Sequence, residues 1–108
     1  TVSRFNFRVP LLIRANTVAF FCVIIPRKVF EEVGLICEDY GRGYFEDDDY
    51  CKRAIKIGFE IGIASDIFIH HIGGASFDKI DKARVNSMFI KNKEVFESKW
   101  GKWRETIV

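Results

Sequence analysis

The most constraining feature of this sequence is a helical pattern with defined ends at residues 46–58. Its first turn consists of four consecutive acids, Glu46, Asp47, Asp48 and Asp49, and its basic residues come later, which is the order that the helix macrodipole favours. Gly58 follows the last periodic position, where a glycine ends many helices. The pattern predicts a helix that opens with carboxylates directly after a glycine-containing surface loop at residues 38–44.

The remaining patterns predict an α/β fold with a short mixed sheet packed by helices. Residues 17–25 are almost all apolar or β-branched, which is typical of a central strand buried on both faces. Helical spacing predicts a short helix at 27–33, and an amphipathic helix at 78–100 that is either continuous or broken near Asn92. Weaker strand patterns lie at 5–13, 59–64 and 67–72.

Composition and charge exclude several classes of protein. The 108 residues suit about one domain, and 17 Lys and Arg against 15 Asp and Glu leave a net charge of +2. That charge is far from the basic field that binds nucleic acid, so nucleic acid is not an expected partner. No apolar run reaches the ~20 residues of a membrane span. Three widely spaced cysteines indicate neither a disulfide framework nor a zinc site, and therefore favour a cytoplasmic location.

Helix geometry singles out one carboxylate of the acidic run. Successive side chains point ~100° apart, and with Glu46 at 0° the apolar residues cover about 20° to 180°. Asp47 then lies along the buried stripe, whereas Asp49 points away from it. Partial desolvation raises the basicity of a carboxylate between core and cleft, so Asp47 is the best candidate for a general base. The acids could instead only stabilise the helix, through its macrodipole and through pairs with basic residues four positions on.

A pair of histidines forms a second candidate group. His70 and His71 are adjacent in a predicted strand, so they face opposite sides of the sheet and only one of them can enter a given site. Gly73 and Gly74 follow, and a flexible turn of this kind lets a ligand approach the backbone closely. A histidine with carboxylates is a chemically reasonable set of metal ligands. Either imidazole could equally well bind only a backbone carbonyl.

Several sequence blocks occur together in a specific order. They are FCVIIPRKVFEEVG at 21–34, YFEDDDYCKR at 44–53, Gly58-Phe59, IHHIGGASF at 69–77 and the final Lys99-Trp100. In this order and spacing the chain resembles the C-terminal part of an inverting, family-two-like glycosyltransferase. That resemblance implies the C-terminal half of a GT-A fold, the Rossmann-like fold of enzymes that use nucleotide-diphospho-sugars.

The resemblance also implies an activity and roles for individual residues. It implies transfer of a sugar, with inversion, from a nucleotide-diphosphate sugar to a hydroxyl of a saccharide or lipid-linked acceptor. Asp47 matches the catalytic base of the family, and Glu46 belongs to the same motif as a substrate-binding residue. Tyr44 and Phe45 would border the acceptor pocket. His71 matches a histidine close to the metal and the diphosphate, where the divalent cation would be Mg²⁺ or Mn²⁺.

The same resemblance predicts that residues 1–108 form a single partial domain, the acceptor-side half of a catalytic domain. The nucleotide-binding half, with its own metal-binding motif, would precede it. We therefore expect this chain alone to be inactive, and to bind the cation only together with that half. Cys37 departs from the family, which usually has an aspartate there. A cytoplasmic location with peripheral contact to a membrane fits a lipid-linked acceptor.

Two hypotheses from other classes stay open. With 11 phenylalanines, the chain could be a non-catalytic binding or self-association module that buries aromatic residues against a second copy. Alternatively, the acids and histidines could form the metal site of a phosphoesterase.

Overall fold

A computed structural model of the chain describes residues 12–70 and 81–104. In chain order its elements are β1 (Leu12–Ala15), α1 (Arg27–Val33), a 3-10 helix (Glu38–Tyr40), α2 (Glu46–Ile57), β2 (Ile61–Ala64) and α3 (Lys82–Trp100). The prediction of a mixed α and β structure is confirmed. Within the described ranges the sheet is one antiparallel pair, β1 with β2, in which Ile13 lies opposite Ile63.

The ends of the three helices lie where local sequence features predict, and so do the starts of α1 and α2, whereas α3 begins at Lys82 and not at the predicted residue 78. The short helix α1 covers the predicted residues, and Gly34 follows it with a positive φ of 95°. Gly58 ends α2 in the left-handed conformation, with φ 115° and ψ 8°, and its N–H donates to the carbonyls of Ala54 and Ile55. The helix α3 is continuous through Asn92, and it begins at Lys82 because the side chain of Asp81 caps it by accepting from the N–H of Ala83.

The predicted central strand at residues 17–25 is wrong. These residues form loop and turn between β1 and α1, and the side chain of Ile24 is 91% exposed. The backbone N–H of Phe20 donates to the carboxylate of Asp47 at 3.3 Å. In a central strand this N–H would instead donate to a carbonyl of a neighbouring strand. An apolar run fits a strand pattern whether or not a partner strand lies beside it.

The weaker strand predictions are confirmed only in part. Of the segment 59–64, residues 61–64 form β2, and residues 65 and 66 make a turn. Residues 67–70 form no strand, and the rest of that prediction lies outside the described residues. The same is true of most of segment 5–13, of which only residues 12 and 13 are described and belong to β1.

The part of the core that positions the site is an aromatic cluster, the aromatic core, which lies where the loop before α2 meets α3. Its buried members are Tyr40, Phe45 and Phe96. The rings of Phe45 and Trp103 pack edge to face with centroids 5.1 Å apart, and those of Phe45 and Phe89 are 5.2 Å apart. Aromatic pairs at such distances stabilise a fold beyond the area they bury. The core therefore fixes the N-terminal end of α2 against α3.

The amide of Asn92 holds the loop that leads into α2. This buried side chain of α3 donates to the carbonyls of Tyr40 at 2.7 Å, of Tyr44 at 3.0 Å, and of Gly43. Tyr44 and Phe45 both have φ 73°, a left-handed conformation that costs about 1 kcal/mol or more for each non-glycine residue. Two consecutive residues of this kind persist only where surrounding contacts hold them, and the amide of Asn92 supplies such contacts.

We expect Asn92→Ala to lower the free energy of unfolding by about 2–3 kcal/mol, because buried carbonyls of the loop lose their donor. The measurement is urea denaturation followed by circular dichroism. Asn86→Ala, at an exposed position of the same helix, is the matched control and should change stability by less than about 0.5 kcal/mol. Equal effects of the two substitutions would contradict the role assigned to the Asn92 amide.

Candidate functional site

A cleft with a volume of about 770 Å³ opens beside the N-terminal end of α2. Its walls come from the segment 17–24, from β2, from residues 67–69 and from Trp103. Among the described residues of this lining, Asp47 and Asp48 are the charged ones. The arrangement is an apolar cleft with two neighbouring carboxylates.

The carboxylate of Asp47 is partly buried and bound to backbone groups. Its Oδ1 accepts from the N–H of Asp48 at 2.8 Å, and its Oδ2 accepts from the N–H of Phe20 at 3.3 Å. Burial raises the pKa of Asp47 above its usual 3.8, and these N–H groups offset part of that increase. Each carboxylate oxygen can accept a second hydrogen bond. This position agrees with the prediction from helix geometry that Asp47 lies between core and cleft.

Asp48 has a different partner at the edge of the same cleft. Its Oδ1 accepts from the hydroxyl of Thr17 at 2.5 Å. This bond ties the start of the segment 17–24 to the first turn of α2. The carboxylates of Asp47 and Asp48 together therefore hold one wall of the cleft.

The prediction that Asp49 points away from the buried side is wrong. Asp49 is 1% exposed, and its carboxylate accepts from the hydroxyl of Tyr40 at 3.2 Å, from Nε1 of Trp100 at 2.8 Å and from Nε of Arg53 at 3.0 Å. The angular positions of the side chains around the helix identified only its apolar stripe. They could not show that the 3-10 helix and α3 cover a second face, with polar atoms directed at the acid. The predicted pair between Asp49 and Arg53 is confirmed.

Glu46, a predicted substrate-binding residue, is partly buried at the first position of α2. Its Oε2 is inaccessible to solvent and has no hydrogen-bond partner among the described residues. Burial raises the pKa of Glu46 above its usual 4.5, and its own backbone N–H counteracts this in part. Glu46 does not belong to the cleft lining that contains Asp47.

Tyr44 and Phe45, the other predicted substrate-binding residues, pack into the aromatic core. Phe45 is buried, and the ring of Tyr44 packs edge to face on Phe89 with centroids 5.5 Å apart. Neither lines the described cleft, whereas Trp103 does, in contact with Phe45 from the core side. A border with an acceptor pocket stays a prediction for Tyr44 and Phe45. Sequence reasoning missed Trp103 as a cleft residue, because its isolated position after Gly101 shows no periodic pattern.

The predicted metal ligand, His71, lies outside the described residues, and its neighbour His70 is exposed. Within residues 12–70 and 81–104, no three side chains of the His, Cys, Asp and Glu types are grouped as metal ligands. The cleft offers two carboxylates, and these already accept hydrogen bonds from Thr17 and from backbone groups. Binding of a divalent cation stays a prediction, because its expected ligand His71 lies outside the described residues.

Comparisons of this chain with protein-family models, with curated proteins and with solved structures found no match. In the part of the chain that the structure describes, no helix has the length and hydrophobicity needed to span a membrane.

Proposed function

We propose that this chain is the acceptor-side part of an inverting glycosyltransferase and that Asp47 is its general base. The observation that supports this most is the position of Asp47, in the cleft lining, with burial raising its pKa. Helix geometry and the sequence resemblance select the same residue for different reasons.

The proposed reaction begins with an acceptor hydroxyl that donates a hydrogen bond to Asp47. As the carboxylate removes the proton, the oxygen forms a bond to the anomeric carbon of the sugar. The bond from that carbon to the diphosphate oxygen breaks on the opposite face, and its electron pair leaves with the nucleotide diphosphate. A general base of this kind accelerates a reaction roughly 10² to 10⁴-fold.

The environment of Asp47 suits this role. A general base works best when its pKa approaches the working pH, and burial moves the pKa of this carboxylate in that direction. The N–H groups of Asp48 and Phe20 fix the orientation of the carboxylate. The base is therefore oriented before an acceptor arrives, which reduces the ordering that the transition state requires.

The cleft lining favours a lipid-linked acceptor over a free saccharide. Apart from two carboxylates, the lining is mostly aliphatic and aromatic, and it includes exposed side chains such as Ile24 and Phe68. A free saccharide would need many polar partners, whereas an acceptor with an apolar part gains by burying these side chains. Peripheral contact with a membrane would bring such an acceptor within reach.

The divalent cation remains part of the proposal, with His71 as its expected ligand together with groups from the nucleotide-binding half. When bound, the cation would stabilise the negative charge of the departing diphosphate.

We expect Asp47→Asn to lower turnover roughly 10² to 10⁴-fold in the natural protein that contains this chain, because an amide cannot take the proton. Affinity for the nucleotide sugar should stay nearly unchanged, since Asp47 contacts the acceptor. Turnover is measured with radiolabelled donor, and donor affinity by calorimetry.

The matched control for this experiment is Asp39→Asn, an exposed aspartate outside the cleft lining. It should keep the turnover of the unaltered protein. Retained turnover in Asp47→Asn would refute the assignment of the base, as would a loss of donor affinity as large as the loss of turnover.

Self-association is the second candidate function, and a specific observation favours it. Ile24 is 91% exposed and Phe68 is 88% exposed, and both line the same cleft. Large exposed apolar side chains grouped on one surface are typical of interaction sites.

If a second copy covers this surface, light scattering should show a dimer at high protein concentration, and Ile24→Ser should dissociate it. Leu35→Ser, at a side chain that is 74% exposed but outside the cleft, is the control and should leave the dimer intact. A monomer at all concentrations would contradict self-association and leave the cleft to an acceptor.

A further inference from the structure

A second cavity, with a volume of about 470 Å³, lies between the loop at residues 40–42 and one side of α3. It shares no lining residue with the cleft that contains Asp47. None of Glu46, Asp47, Asp48 and Asp49 belongs to its described lining, so the proposed base does not account for it.

The lining of this second cavity is strongly basic. Arg42 reaches it from the loop, and Arg84 and Lys91 reach it from α3, together with the hydroxyl of Ser87. Residues 84, 87 and 91 are spaced by three and four, which places them on the same face of the helix. No acidic residue belongs to the part of the lining that the structure describes. None of the three cations has an ion-pair partner within the described ranges.

The cations of α3 are concentrated in its first two-thirds. Residues 82–93 contain Lys82, Arg84, Lys91 and Lys93 and no acid, although the whole chain has a net charge of only +2. The first turn of α3 contains no acidic residue at all. The helix macrodipole disfavours cations at this end. Lys82 and Arg84 therefore oppose the macrodipole within the first turn, although the carboxylate of the N-cap residue Asp81 offsets them in part.

We propose that this cavity, the basic pocket, binds a phosphate group of a small anionic ligand. The guanidinium groups of Arg42 and Arg84 can each donate two parallel hydrogen bonds to phosphate oxygens, while the ammonium of Lys91 adds a point charge. The hydroxyl of Ser87 is a further donor. Because the donors come from two separate elements, a phosphate between them would be contacted from more than one side.

Two sources could supply such a phosphate, namely a soluble phosphate ester and the headgroup of a lipid. The recognising chemistry is the same for both, and the basic pocket does not distinguish them by itself. Experiments with two probes separate them, using pyrophosphate as the soluble anion and vesicles of phosphatidylglycerol as the lipid surface. Vesicles of phosphatidylcholine, which have no net charge, are the reference.

The basic pocket is tested with two double variants that remove the same charge from the same helix. Arg84→Gln with Lys91→Gln removes two cations from the lining, whereas Lys82→Gln with Lys93→Gln removes two cations outside it. Arg84, Lys91 and Lys82 are exposed and Lys93 is partly buried, so circular dichroism should confirm that all proteins stay folded.

We expect pyrophosphate to shift the amide resonances of residues 42, 84, 87 and 91 in NMR spectra, or the anionic vesicles to sediment the protein. The Arg84→Gln and Lys91→Gln double variant should weaken the binding of the pyrophosphate or of the vesicles about tenfold or more. The Lys82→Gln and Lys93→Gln double variant should leave that binding nearly unchanged. A response to pyrophosphate identifies a soluble ligand, and a response to vesicles alone identifies a headgroup. Absence of both responses, or equal weakening by both variants, would overturn the proposal. Neither outcome depends on sugar transfer.

Discussion

The arrangement around the candidate site depends on one buried carboxylate, that of Asp49. Three donors from three parts of the chain converge on it, namely the hydroxyl of Tyr40, the indole N–H of Trp100 and the guanidinium of Arg53. A buried charge is costly unless it is paired and hydrogen-bonded, so these donors have to stay in place together. They thereby join the 3-10 helix and α3 to the first turn of α2. Asp47, two positions earlier, is held at the cleft as a consequence.

The loop before α2 adds a second constraint, because its backbone is strained. Tyr44 and Phe45 both adopt left-handed conformations, and the Asn92 amide together with the aromatic core holds them there. These two strained residues and the contacts that hold them lie immediately before the acidic first turn of α2. Outliers of this kind cluster at functional sites, where fixed geometry matters more than local stability. This pattern supports Asp47 as a positioned group, in addition to the stabilising effect that any acid has in a first turn.

Local sequence features predicted the helices well, because the features that end a helix lie within a few residues of its ends. Gly58 ends α2 as predicted, and Gly34 and Gly101 follow α1 and α3. The prediction of a strand at residues 17–25 is wrong because strand formation depends on a distant partner strand. These residues instead contact the acidic turn of α2. The burial of Asp49 was not predicted for the same reason, since its hydrogen-bond donors lie up to 51 positions away in sequence.

The central claim is that Asp47 is a desolvated carboxylate at the cleft, able to act as a base. The most direct test is an NMR titration of its side-chain carboxyl carbon in the folded chain. The account predicts a midpoint above the usual aspartate pKa of 3.8, because burial disfavours the charged form. A midpoint at or below 3.8 would show a solvated or strongly hydrogen-bonded acid, and would contradict the account.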